Sequence, residues 1–305
     1  MKTKKNFSYL GILLTAALSL FLFCSDNDDD EKSSSPEKIT IQSSDMALTI
    51  GQPVSINFIR FDNKPECNYE QGENKKWDFS QLELDTAINF QVSPLPENPA
   101  FPEADYTFTD SLYILGFSFP TTVYVKKNDD CLQKLGFTFD SLFIPLSSSG
   151  DSYIELPGQT IQYEPEEILY HFPISYGNSM EKLTSVRTLR LYVTYPLLSL
   201  SHTLIEHKST LEKTTEVLGW GEILLPREEK SRDVLYIKKN IIIYTNIYMN
   251  GALVPQNLLN YFNYIQGDTL TNHYIHEFRQ KNGNQYSCFN AYVTKDNIIL
   301  DIYYQ

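Results

Sequence analysis

From Arg187 to Tyr195 the chain reads RTLRLYVTY, and its apolar and polar residues alternate one by one. Leu189, Leu191, Val193 and Tyr195 fall on one side of an extended backbone, and Thr188, Arg190 and Thr194 on the other. A period of two belongs to a strand with one buried face, and a slip of one residue would turn that face to water. The same signature recurs. VSINFIRF, TAINFQV, TTVYVKK, DVLYIKKNIIIYTNIYM and NIILDIYY are rich in β-branched and aromatic residues, and clusters such as Lys281-Asn282-Gly283-Asn284 and Lys295-Asp296-Asn297 punctuate them as turns. Helical spacing is weak; the one candidate, Val254 to Phe262, carries Pro255 near its start. The expectation is a mainly β protein of β-sandwich-like architecture, as one large unit or as two sheet-rich units. Two units would span 39–160 and 161–305, joined near LPGQTIQYEPEE at 156–167. No internal repeat is evident.

The first 23 residues have a different character: Lys2, Lys4 and Lys5, then an apolar run from Leu10 to Phe23. Fourteen residues are short for a bilayer span and suit the apolar region of an export signal, so 1–23 is expected to be removed. The cysteine that ends the run, Cys24, resembles the acylated cysteine of the bacterial lipoprotein lipobox, although the position before it is Phe23 where a small residue is usual. An ordinary signal peptide with an incidental cysteine is the alternative. The next seven residues, Ser25-Asp26-Asn27-Asp28-Asp29-Asp30-Glu31, resemble the acidic tract that follows the lipidated cysteine in surface-exposed lipoproteins of the Bacteroidetes. Five carboxylates so close together repel one another and anionic headgroups, which keeps the segment extended in water. Residues 24–38 then form a tether, of which residues 25–37, at about 3.4 Å each, reach up to about 45 Å from the membrane. The aspartates lack the glycine turn of a calcium loop.

The charge of −13 becomes −16 once the three leader lysines are gone, which argues against nucleic acid and against a polybasic membrane contact, leaving lipid as the anchor. The expected address is the outer membrane at the cell surface. Beyond Cys24 the thiols are Cys67, Cys131 and Cys288; export permits a disulfide, and Cys67 with Cys131, both in turn-like surroundings, is the pair favoured if one forms. Reduced cysteines are the alternative, and no spacing fits zinc or a redox CxxC motif.

A second resemblance rests on GENKKWDFSQL (72–82), NPAFPEADY (98–106), HFPISYGNS (171–179) and LGWGEILLPREEKSRDVLYIKK (218–239). Together they are similar to blocks of uncharacterised secreted Bacteroidetes proteins that carry a Trp-Asp-Phe-Ser element. The resemblance implies export and a β fold, and it implies no activity. Many of those proteins carry an appended sorting domain; this chain runs to a strand, IYYQ, which fits anchoring by lipid instead. Gly219 and Gly221 flank Trp220, as in a bulge with one large ring packed across it. Trp77 and Trp220 read first as core anchors and second as stacking platforms for sugar rings.

No motif identifies a reaction. His273 and His276 would lie on opposite faces of a strand, His202 and His207 flank TLIE without a ligand pattern, and Glu164, Glu166 and Glu167 read as solvated. There is no GxSxG, phosphate loop or HExxH, so neither catalytic nor metal-ligating residues are assigned and no cofactor is expected. Four triplets, at Asp85-Thr86, Asp110-Ser111, Asp140-Ser141 and Asp268-Thr269, each followed by an apolar residue, resemble the O-glycosylation acceptor of exported Bacteroidetes proteins. Thr86, Ser111, Ser141 and Thr269 are the candidate acceptors; turn-forming Asp-Ser/Thr pairs are the alternative. The function expected is a non-catalytic binding protein for glycan or protein. The alternatives are a structural subunit resembling the lipoprotein precursors of Bacteroidetes fimbriae and an unrecognised hydrolase.

Overall fold

A computed structural model describes residues 21–22, 38–46, 50–51, 53–59, 69–83, 85–97, 99–114, 117–260, 264–281, 284–285, 287–296 and 298–305. Twelve antiparallel strands follow one another around a closed barrel: β1 (Pro53–Ile59), β2 (Thr86–Ser93), β3 (Tyr106–Ile114), β4 (Phe117–Lys127), β5 (Cys131–Phe139), β6 (Gln159–His171), β7 (Ser179–Tyr195), β8 (Leu200–Leu224), β9 (Arg232–Met249), β10 (Asp268–Gln280), β11 (Phe289–Thr294) and β12 (Ile299–Tyr304). Each pairs with its sequence neighbour, and β12 returns to β1 with Ile302 opposite Ile59 and Tyr304 opposite Asn57. The mainly β expectation holds, but a sandwich does not form. A sandwich has two sheets with free edges, whereas here the last strand finds the first and the sheet closes on itself. Residues 160 and 161, the expected junction of two units, both lie inside β6, and the barrel draws strands from either side of them. Of the expected helix at Val254 to Phe262, the described residues form one α-helical turn, Gln256–Leu259.

Alternation fixes which side chains enter the lumen. Leu189, His207 and Ile247 stand abreast on β7, β8 and β9, as do Leu191, Ile205 and Met249. One continuous apolar cluster gathers inward residues from around the wall, among them Ile56, Phe108, Val123, Phe137, Leu191, Leu235 and Tyr303. The outward set on β7 to β9 contains Lys182, Arg190, Glu206, Lys208, Glu212, Glu216 and Lys238, so this wall is built to face water and not lipid chains. No described helix is long and apolar enough to cross a membrane.

Two segments fold over the ends of the barrel. At one end residues 38–46 bury Ile41 and Met46, pair with Ile174–Ser175, and are held by Ser43 Oγ donating to the Asn128 carbonyl at 2.7 Å and by Lys127 donating to the Met46 carbonyl. At the other end residues 252–260 and 264–266 turn back onto Ile247, whose backbone N–H and C=O are both taken by the Gln266 side chain. Val254 and Leu259 are buried there against Ile247, Ile205 and Met249.

A second core lies outside the barrel. The strand Gly72–Asp78 pairs in parallel with the end of β8 and sets Trp77 and Phe79 against Phe278, Phe289 and Tyr236. Close approach requires the two glycines around Trp220. A Cβ at Gly221 would stand 2.0 Å from the Lys75 carbonyl oxygen, and one at Gly219 would stand 2.8 Å from that of Gly72. The bulge read from the sequence occurs between Val217 and Gly219.

The wall is thinnest between β6 and β7. A single residue pair, Glu164 with Val186, joins them by backbone. Side chains complete the seam: Gln159 accepts from the Arg190 N–H at 2.9 Å and donates to its carbonyl at 2.6 Å, Ser185 Oγ donates to the Pro165 carbonyl at 2.7 Å, and Lys213 on β8 donates to the Ile168 carbonyl. Beyond this seam a hairpin, Leu142–Pro145 with Tyr153–Leu156, adds to β7, placing Glu155 opposite Tyr192 and Tyr153 opposite Thr194.

Candidate functional site

The lumen holds a chain of charged side chains among its apolar ones. Glu277 and Arg279 are fully buried on β10, where Glu277 forms an ion pair with Lys239 of β9 at 2.6 Å and accepts from Arg279 at 2.8 Å and from the Tyr170 hydroxyl at 2.6 Å. The Lys239 ammonium and the Arg279 guanidinium also lie over the Tyr170 ring. Further along the lumen Glu167 takes Lys134 at 3.4 Å and Lys213 at 3.5 Å. Burial works against both carboxylates, yet their paired cations outweigh it: Lys239 and Arg279 hold Glu277 at about 2, and Lys134 and Lys213 hold Glu167 at about 2. Asp110 has no such pair among the described residues. Burial lifts it to about 6 although Lys134 pulls the other way. Carboxylates fixed in ion pairs offer neither a labile proton nor a free nucleophile, and this network braces the barrel instead of supplying a general acid and base. A clue was present in the sequence: Lys239 shares the period-two face of Leu235 and Ile237, and Glu277 and Arg279 share that of Ile275.

Two cavities adjoin these groups. One, of about 450 Å³, lies beside the seam between Tyr170, Ile174, Met180, Leu183, Val217 and Ile237. The other, of about 70 Å³, is lined by Asp110, Lys134, Glu167, Arg187 and His273 together with apolar residues that include Ile241.

On the outer surface the added hairpin creates an aromatic strip. Phe143, Glu155, Tyr192 and Leu204 stand abreast across four strands and point outward, with Tyr153 and Thr194 in the adjoining row. Phe143 is 56% exposed and stacks on Tyr153 at 4.7 Å. Tyr192 stacks on the exposed His202 ring at 4.3 Å, and the His202 Nε2 lies 3.4 Å from Glu155. Two strand spacings separate Phe143 from Tyr192, about 10 Å. The strip thus alternates flat apolar rings with a carboxylate, an imidazole and a hydroxyl.

The residues singled out from sequence are dispersed. Trp77 and Trp220 are both buried, with Trp77 in the outer core and Trp220 among the lumen residues, so neither offers a ring face to a sugar. Large aromatics supply more stabilisation in a core than at a surface, and the exposed rings come from Phe and Tyr instead. Thr86, Ser141 and Thr269 are exposed, and Ser111 is half-buried. His273 faces the lumen, while His276 points outward, sandwiched by Tyr69 and bonded to the Tyr236 hydroxyl at 2.6 Å. Glu164 and Glu166 are solvated as expected, but Glu167 is buried. Cys131 and Cys288 are buried free thiols. Cys24 and Cys67 lie outside the described residues, and among the described residues no group of three or more metal-binding side chains occurs. No protein-family model, no curated protein and no solved structure matches the chain.

Proposed function

We propose that this chain is a non-catalytic, surface-anchored binding protein that holds a glycan against the Phe143–Tyr153–Tyr192–His202 strip. The observation that carries the reading is the strip itself. Two of its rings, Phe143 and Tyr153, are presented by a hairpin that the barrel does not need for closure, and Glu155, His202 and Thr194 stand beside them to accept and donate hydrogen bonds to sugar hydroxyls. A distance of about 10 Å spans more than one sugar ring. Cys24 is the proposed lipid attachment, and the acidic tract after it is the proposed tether to the outer membrane; the polar outer wall of β7 to β9 is compatible with a protein standing in water on that tether.

The test is affinity electrophoresis and array binding with neutral and acidic polysaccharides, using the chain from Ser25 onward. Retardation by at least one polysaccharide, weakened about tenfold in Phe143→Ala and Tyr192→Ala, is the expected outcome. Equal binding by the variants and the parent would overturn the strip as the site. On whole cells, radiolabelled palmitate should enter the parent and not Cys24→Ser, and protease added outside should degrade the protein.

A further inference from the structure

We infer that the smaller lumen cavity is a binding site for a small oxyanion of the phosphate or sulfate class, with Arg187 as its principal ligand. Three independent observations converge on it. The first is an unpaired cation. Arg187 points inward from β7 and is half-buried, its guanidinium forms no ion pair among the described residues, and its recorded side-chain contact is the Phe137 ring at 5.8 Å. Every other cation of the lumen wall, Lys134, Lys213, Lys239 and Arg279, has a carboxylate partner.

The second is an orphaned ring nitrogen. His273 lines the same cavity, is buried, and its Nε2 has no hydrogen-bond partner. A buried imidazole nitrogen left unmatched costs free energy that a bound acceptor would recover. The third is the balance of charge. Lys134 and Arg187 line the cavity with Asp110 and Glu167, and Lys213, outside the lining, shares Glu167 with Lys134, so three cations meet two carboxylates inside a chain whose overall charge is −13. The cavity of about 70 Å³ has room for one tetrahedral oxyanion or about two waters, taking about 30 Å³ per water. A planar guanidinium fork, an ammonium and an imidazole in its Nε2–H tautomer match the lone pairs of such an anion better than they match a chloride.

The site is independent of the glycan strip, which lies on the outer face, and its test needs no sugar. The full chain from Ser25 onward is titrated with sodium phosphate, sodium sulfate and sodium chloride at fixed ionic strength, by calorimetry and by ring-resonance NMR of its five histidines. Phosphate or sulfate should give saturable heat and move the His273 ring resonance, while the exposed His202 stays in place. Arg187→Gln should bind at least about tenfold more weakly; Arg190→Gln, on the outer face and paired with Glu206, should bind as the parent does. A silent His273 resonance in the unaltered protein would overturn the proposal without recourse to any variant. So would unchanged affinity in Arg187→Gln, or a chloride response equal to that of the oxyanions.

Discussion

Tyr170 and Glu277 meet in the lumen at 2.6 Å, hydroxyl to carboxylate, although they lie 107 positions apart in the chain. The contact joins β6 to β10 across the barrel, and the same carboxylate neutralises Lys239 and Arg279. Glu277→Gln would leave two buried cations without their counter-charge. The expected loss is about 3–5 kcal/mol, read as a lower urea midpoint. Tyr170→Phe keeps the ring under both cations and should cost about 1–3 kcal/mol.

Acid should weaken the fold in two stages. Burial depresses His273 and His276 to about 4 from an ordinary 6.5, so between those values the unfolded chain binds protons that the native chain refuses. Stability therefore falls as the pH drops from about 6.5 to about 4. Asp110, raised to about 6, works in the opposite sense within part of that window, since the native state holds its proton first. Below about 4.5 the depressed Glu167 and Glu277 take over, and their contribution disappears as the pH falls through about 2. Urea midpoints from pH 7 to pH 3 should decline throughout, and His273→Gln should flatten the first stage; a midpoint that rises on acidification would contradict this assignment.

Gly221→Ala places a methyl group where the Lys75 carbonyl oxygen now stands. The strand Gly72–Asp78 must move away, taking Trp77 and Phe79 out of the second core. A loss of about 1–3 kcal/mol or more is expected, with a shifted tryptophan emission.

At the seam, the Gln159 amide substitutes for a strand by pairing with both the N–H and the carbonyl of Arg190. Gln159→Ala should raise amide hydrogen exchange at Arg190 locally, leaving protection in β9 and β10 unchanged. A uniform rise across the barrel would show that the seam and the wall open together.

Cys288 is buried with its thiol 3.2 Å from the Phe278 carbonyl, and burial pushes that thiol up to about 12. It should remain unmodified by a thiol reagent at pH 8 in native protein and react on unfolding. For material from its native host, intact mass should reveal any hexose at Thr86, Ser141 or Thr269 in preference to the half-buried Ser111.

Strands were legible because alternation is local. Leu189, Leu191 and Val193 announce an inward face within seven residues, and the structure buries all three. Closure was not legible, since nothing near Phe58 specifies that Tyr303 will stand opposite it; that pairing is decided by the summed twist and register of every strand between. The aromatic strip was hidden for a similar reason. Phe143 and Tyr192 are ordinary strand residues until the hairpin brings them abreast. The tryptophans were legible: Trp77 and Trp220 read first as core anchors, and both are buried as fillers of the two cores. Lumen charges interrupt an apolar period, which reads as a flaw in a strand unless a partner from a distant strand is known.

The pairing of β12 with β1 also sets a timetable. Hairpin can follow hairpin as the polypeptide appears, each using the edge left by the one before, yet Ile59 must wait for Ile302. Until then the half-made wall is a ribbon with two unsatisfied margins, open to adding a stray strand from another molecule. A chain built this way keeps those margins open until its final residues arrive, and a ribosome that stalls before residue 299 releases an aggregation seed instead of a smaller barrel.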